Sequence, residues 1–391
     1  MGCAVMELES LARNLFVGAS RIPGMRGVLE LRISADQAVS VTVADTVTVG
    51  AVRPDPDVRI AISADDLLAV ASGRHDIERL FTAGKIRVDG DFGLATLLPQ
   101  VIRASLNGDA DGTPPDRGSF NVDERRHPAP PRHSELVTAA QPPVTDIERF
   151  EYGTLSPETF QRDYVLRCKP VVIANALHDW PLYNMSQEDS IRHFEGLQGM
   201  IRTGDYVAKT FSRNRQFKTA SMADFIRSAR SHADTQSAEP PPYLGSNSIP
   251  EALETLIRWP EYFHRDQYIA PRIWIGPKGT VTPLHRDDSD NLFAQIWGEK
   301  AFILAAPHER SHLYAWTTYR DGGLEGSEVD AEAPDYLKHP AARAARLLKT
   351  HVGPGDLLFI PDGWFHHVRS LSMSLSVNFW TTSVRHAEEG A

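Results

Sequence analysis

Apolar and polar residues alternate with period two along three stretches near the start of the chain: VLELRIS (28–34), AVSVTVADTVTVG (38–50) and VRIAIS (58–63). Successive strand side chains point to opposite faces, so this pattern predicts strands with one buried face. Residues 8–16 carry the three-to-four spacing of a short helix. Ser63 is placed to cap a second helix, with Asp65 and Asp66 in its first turn and Leu67, Leu68 and Val70 inside. IERLFTAG (77–84) predicts a further short helix. KIRVDGD (85–91) predicts a strand and turn, and FGLATLLPQVI (92–102) a closing apolar helix. The expected architecture of residues 1–106 is α+β. The segment holds no His/Cys cluster, no Gly-rich phosphate loop and no Ser/His/Asp set.

The alternation then stops. Residues 107–143 carry seven prolines, scattered charge and few large apolar side chains, which cannot repay the entropy of ordering a packed core. This stretch is expected to be a semi-extended linker. From 144 to 391 the pattern returns with more aromatics. KPVVIANALHDWP (169–181) predicts a strand and turn. Residues 272–307, 355–371 and 373–383 read as short strands broken by Gly-containing turns. Short strands at this spacing, without long alternating helices, predict an all-β barrel or double sheet. MADFIRSAR (222–230) and PAARAARLL (340–348) are expected to decorate it as helices.

The chain has 391 residues, 41% of them apolar and 24% charged, enough for two cores. With 41 basic and 51 acidic residues the formal net charge is −10, which disfavours nucleic acid or an anionic membrane as the main partner. Cys3 and Cys168 do not make a disulfide framework and fit a reducing compartment. No apolar run approaches the roughly 20 residues that span a bilayer. The first residues lack the basic start of a secretory signal, and position 6 is Met6 where a myristoylation motif wants Ser or Thr. A cytoplasmic protein is expected.

The chemistry concentrates in TPLHRDD, residues 282–288. His285 and Asp287 are two apart on a predicted strand, so both face one side and reach one ion. About 80 residues on, WFHHVRS supplies His366 and His367, of which one faces inward and the other outward. Two histidines and one carboxylate from two strands form the facial set that suits non-haem Fe(II). Asp288 is the alternative carboxylate and His367 the alternative distal ligand. Lys300, just past the Gly298 turn, is placed to aim an ammonium into the same barrel mouth and pair a carboxylate.

Two resemblances follow from these motifs. The strand, helix, G-K-I-x-V-x-G-D and closing apolar helix of residues 8–104 resemble the sterol carrier protein type 2 domain. That resemblance implies an apolar tunnel for a lipid or other apolar ligand; the alternative is an ordinary core in a docking module. TPLHRDDSDNLFAQIWGEKAFILAAP, GPGDLLFIPDGWFHHVRS and SVNFW, with KPVVIANALHDWP upstream, resemble the JmjC-type cupin dioxygenases. The similarity covers about residues 145–383 and is nearest the branch of the asparaginyl hydroxylase acting on hypoxia-inducible factor. It implies a double-stranded β-helix using Fe(II), with 2-oxoglutarate and dioxygen as co-substrates. It also implies hydroxylation of a C–H bond on a peptide or protein side chain, with succinate and CO2 as co-products.

Position by position, the resemblance makes His285, Asp287 and His366 the iron ligands. Lys300 and Thr282 match the partners of the far carboxylate of 2-oxoglutarate. Asn291 and Asn378 match polar residues of the same pocket, and Trp380 its wall. Tyr206, Lys209, Phe211 and Arg213 lie in a segment placed to line a substrate groove. Only about eight residues follow the last strand, which leaves no room for C-terminal dimerisation helices, so a homodimer is expected to need another route. Two other readings stay open: a small-molecule or lipid hydroxylase fed by the first domain, and a non-catalytic cupin.

Overall fold

The computed structural model describes residues 2–106, 146–208, 216–230, 240–315 and 325–381, apart from positions 23, 24, 35, 76, 83, 84, 96, 270 and 288. The linker expected at 107–143 lies outside the described residues, as do Lys209, Phe211, Arg213 and Asp288.

The first domain opens with helix α1 (Gly2–Phe16). Its five strands are β1 (Gly27–Arg32), β2 (Ala38–Val43), β3 (Val47–Gly50), β4 (Val58–Ile62) and β5 (Ile86–Gly90), in sheet order β3-β2-β1-β4-β5. All neighbours are antiparallel except β1 and β4. The run 38–50 is thus two strands. The Ala44 amide closes a turn on the Thr46 carbonyl (3.1 Å), which keeps Val41, Val43 and Val49 on the buried face. Helices α2 (Ala64–Ala71) and α3 (Ile77–Thr82) stand where the pattern placed them. Ser63 caps α2, its hydroxyl accepting from the Asp66 amide (3.1 Å). The closing helix is split into α4 (Phe92–Ala95) and α5 (Leu98–Leu106). Pro99 falls in the first turn of α5, where its missing N–H costs nothing. The core is built on Leu15, Leu29, Val41, Ile60, Val70 and Val101.

The second domain is two facing sheets. The larger runs β10 (Leu244–Ser248), β11 (Arg272–Gly276), β19 (Ser374–Thr381), β13 (Asp290–Trp297), β17 (Leu357–Ile360), β7 (Val171–Ala174), β6 (Glu148–Glu151). The smaller runs β15 (Glu325–Gly326), β12 (Val281–Arg286), β18 (Phe365–Ser370), β14 (Lys300–Ala305), β16 (Leu348–Val352). A two-stranded ribbon of β8 (Gln198–Thr203) and β9 (Gln216–Ser221) completes the strands, and the helix Met222–Arg230 buries Met222, Ala223, Ile226 and Ala229. Apart from the parallel pair β6/β7, every strand pairing is antiparallel. The outer face of the large sheet packs under helices around Phe160, Trp180, Leu292, Ile296 and Phe379. Between the sheets lies a second apolar cluster, with Phe293, Phe302, Leu304, Leu358, Trp364 and Val368. The helix expected at 340–348 is not formed. Pro340–Ala344 makes a single 3-10 turn, and Leu348 begins β16, where it pairs with Leu304. Strand pairing outweighs the helix propensity of an Ala/Arg run, because tertiary contacts override local propensity.

Candidate metal centre

Three side chains converge at one end of the interior. His285 near the end of β12 and His366 on β18 are directly opposite one another in the register, their ring centroids 4.2 Å apart. Asp287 follows just past β12 and inserts between them. His285 Nε2 lies 3.7 Å from Asp287 Oδ1, and His366 Nε2 lies 3.8 Å from Asp287 Oδ2. One ligand atom from each of the three lies within 4.8 Å of the others.

The ring orientations are fixed by the same device twice. His285 Nδ1 is 2.8 Å from the Pro283 carbonyl, and His366 Nδ1 is 3.2 Å from the Trp364 carbonyl. A carbonyl can only accept, so each Nδ1 carries the proton and each Nε2 presents a lone pair inward. Burial, and then the neighbouring His366, hold the His285 imidazole down to about 4, so it stays neutral and able to ligate at neutral pH. Trp380 Nε1 donates to Asp287 Oδ2 (2.8 Å), orienting the carboxylate. Arg286 points to the other face, into the buried Glu325 and Arg310 network that secures β15 to β12. His367 also faces away: its Nε2 lies 3.4 Å from Glu332. The structure therefore separates the histidine pair as strand alternation requires, with His366 inward.

A β-bulge shapes this end of β12. Thr282 pairs with Val368 and His285 with His366, three steps on one strand against two on the other. Residues three apart on a regular strand face opposite sides. The extra residue lets Thr282 and His285 both face inward while Leu284 packs into the outer cluster with Ile303 and Phe365.

Deeper in, Lys300 at the start of β14 is 1% exposed. Its Nζ donates to Ser376 Oγ (3.0 Å) and Tyr243 OH (3.3 Å) and has no carboxylate partner among the described residues. Burial pushes its ammonium down to about 7. The Tyr243 hydroxyl is also bonded to Thr282. Asn378 Nδ2 donates to Asn291 Oδ1 (3.1 Å), and the buried Asn378 Oδ1 has no hydrogen-bond partner among the described residues. Tyr206 is buried, its ring 6.2 Å from that of Tyr243. All eight residues singled out as ligands or pocket residues, Trp380 among them, are thus described, with Asp287 between the two histidines and Thr282 linked to Lys300 through Tyr243.

Sequence reasoning missed Tyr243 and Ser376. Tyr243 comes from the segment leading into β10 and lies in no motif; Ser376, on β19, opens the SVNFW stretch two residues before Asn378 and was passed over. Tyr243 follows three prolines, which mark only a chain reversal.

The donor set fits a divalent metal: the inward Nε2 atoms of two buried histidines and one oriented, partly buried carboxylate. The buried, carboxylate-free Lys300 beside three hydroxyls fits one end of a dicarboxylate.

Residues 157–384 match the Cupin-like domain family, and residues 9–103 match the SCP-2 sterol transfer family. Among curated proteins, the lysine-specific demethylase JMJ30 of Arabidopsis thaliana is 31% identical over 233 residues, 58% of this chain and 53% of that protein. Lysine-specific demethylase 8 of Xenopus tropicalis is 30% identical over 260 residues, 63% of this chain and 56% of that protein. The human bifunctional peptidase and (3S)-lysyl hydroxylase JMJD7 is 27% identical over 258 residues, 58% of this chain and 81% of that protein. The chain spans about half the length of the first two of these relatives. The family match covers more than half of the chain, and with the facing sheets and the site between them it places the protein in the cupin-like domain family, with an SCP-2-type domain ahead of the cupin.

Proposed function

We propose that the protein is an Fe(II)- and 2-oxoglutarate-dependent oxygenase that hydroxylates a C–H bond of a peptide or protein side chain. The observation that carries this reading is the pairing of an inward His285/Asp287/His366 set with a buried Lys300 that lacks a carboxylate. When bound, Fe(II) with 2-oxoglutarate and dioxygen supplies the oxidising chemistry and releases succinate and CO2. The chain's own residues do the rest. His285, Asp287 and His366 would hold the metal. Lys300, Thr282, Tyr243 and Ser376 receive the far carboxylate of 2-oxoglutarate. The Pro283 and Trp364 carbonyls keep both imidazoles in the ligating tautomer. Trp380 holds Asp287 against rotation. Phe293, whose ring centroid lies 5.2 Å from Lys300 Nζ, packs with Phe302 and Val368 and keeps the surroundings of that ammonium apolar.

We read residues 1–106 and 144–391 as separate folding units joined by the 107–143 segment. Among the described residues no helix is long and apolar enough to cross a membrane. The first domain's likeness to sterol-transfer proteins supports a lipid or apolar ligand there, with delivery of such a substrate to the cupin as the second reading.

The test is anaerobic titration of the apoprotein with Fe(II) and 2-oxoglutarate. A visible charge-transfer band that is absent in His285→Ala is the expected result. A folded wild-type protein without the band would overturn the reading.

A further inference from the structure

Arg202, in β8, is a second buried cation near the metal centre. It is 9% exposed, and its backbone pairs with Tyr243. Its guanidinium stacks on two rings, 5.2 Å from the Trp274 centroid and 6.0 Å from that of Tyr243. Among the described residues it makes no ion pair and no side-chain hydrogen bond, and its Nε is fully buried without an acceptor. Beside it the Trp274 Nε1 donor is likewise buried and unmatched. Gly245 makes room for this arrangement: a Cβ there would stand 3.0 Å from the Trp274 ring and 3.1 Å from Arg202 Nε.

Leaving a buried guanidinium unpaired is costly, and proteins keep such groups where a ligand completes them. Trp274 shares the inner face of the large sheet with Ser376, its register partner and the acceptor of the Lys300 ammonium. Tyr243 touches both cations. Arg202 therefore looks onto the same interior as the metal set.

The charges then decide the class of substrate. On the reading above, a divalent metal and the 2-oxoglutarate dianion cancel. Asp287 cancels one of the two buried cations, and Lys300 takes the far carboxylate. One positive charge, that of Arg202, stays uncompensated. We infer that Arg202, with Trp274, receives a carboxylate of the substrate, so that the hydroxylated group is borne by an acidic side chain or a free carboxylic acid. A lysyl or other cationic side chain of the kind named for the relatives would meet like charge in a desolvated site.

The inference rests on the 2-oxoglutarate reading, so its test begins by measuring 2-oxoglutarate affinity of the full-length chain loaded with Mn(II). No binding there would sink that reading rather than this one. The loaded protein is then titrated with capped peptides that differ only in a central Asp, Glu, Asn, Gln, Lys or Arg, and separately with straight-chain monocarboxylic acids. Tryptophan fluorescence reports binding, and succinate release in the Fe(II) form reports turnover. Wild type should bind one acidic set at least about tenfold more tightly than the amide or cationic probes. Binding of the peptides alone assigns a protein side chain; binding of the free acids alone assigns a small molecule. Arg202→Met should erase the preference with 2-oxoglutarate affinity unchanged, which also certifies that the variant is folded. Arg202→Lys should retain part of the preference, and Arg202→Glu should turn it toward the Lys and Arg peptides. A wild-type preference for cationic probes, an equal response to all charges, or an Arg202→Met variant that keeps its fold by melting temperature but loses 2-oxoglutarate affinity would each overturn the inference.

Discussion

The two domains bury different things. In the first, the described core is aliphatic and aromatic, and the buried polar residues there are Glu30 and Ser40. Both are accounted for locally. Glu30 pairs with Arg32 (2.7 Å) and Arg59 (3.6 Å), and Ser40 accepts from the Arg53 amide. In the second, the space between the sheets holds His285, Asn291, Lys300, His366 and Asn378, with Arg202 beside them. Among the described residues several of these are incompletely matched, including Asn378 Oδ1, Arg202 Nε and the carboxylate-free Lys300. Satisfied burial builds a fold. Unsatisfied burial costs stability and persists where a ligand repays it.

Substitutions can break or sharpen that contrast. The largest effect is expected at Lys300. Lys300→Met should cost about 2–5 kcal/mol of 2-oxoglutarate binding, because the ligand's carboxylate would be left buried without its cation. The free protein should gain stability, or lose none, since an unpaired ammonium has been replaced by an apolar chain of similar length. Calorimetric Kd values and melts check both halves; an unchanged Kd breaks the contrast at its strongest point. The same residue sets a pH dependence. Burial holds the free-state ammonium down to about 7, against its ordinary 10.5. Between those values the unfolded chain binds the extra proton, so this group's cost to stability is full below pH 7 and is relieved as pH rises through that window. A bound carboxylate favours the charged form. Binding of 2-oxoglutarate should therefore take up a proton above pH 7 and weaken as pH rises, which titrations in buffers of different ionisation enthalpy measure.

The reverse behaviour is expected in the first domain. Leu29 is fully buried at the centre of its core. Leu29→Ala should cost that domain about 2–5 kcal/mol, with Fe(II) and 2-oxoglutarate binding unchanged. A loss of metal binding would show that the two units do not act separately. The smallest effect is Trp380→Phe, which removes the 2.8 Å donor to Asp287 while keeping the packing. Metal affinity should fall about 10- to 100-fold, read by competition with a chelating dye, and full affinity would show that Asp287 needs no support.

Much of this was legible in the residues, for reasons that also explain what was not. Alternation fixes which side of a strand a residue faces, so His285 and Asp287 could be placed together and the histidine pair reduced to a choice of one inward and one outward. The strands of the first domain and the Ser63 cap follow from equally local rules. The Ala/Arg run at 340–348 misled, because the pairing of Leu348 with Leu304 is set by a strand more than 40 residues away. Tyr243, Arg202 and Trp274 were invisible for the same reason. Each sits alone in its own stretch of sequence, and the interior they share with Ser376 exists only once β8, β10, β11 and β19 are assembled.

The bulge in β12 has an evolutionary consequence. It is a single spare residue that the ladder absorbs locally, so Thr282 and His285 share the inner face although they are three apart. Losing Arg286 instead would leave every ligand present and in order, yet set Asp287 directly after His285, where strand alternation turns it to the opposite face. A lineage could silence this centre by one codon without touching a ligand, and a comparison that scores only the presence of His, Asp and His would still count the site as intact.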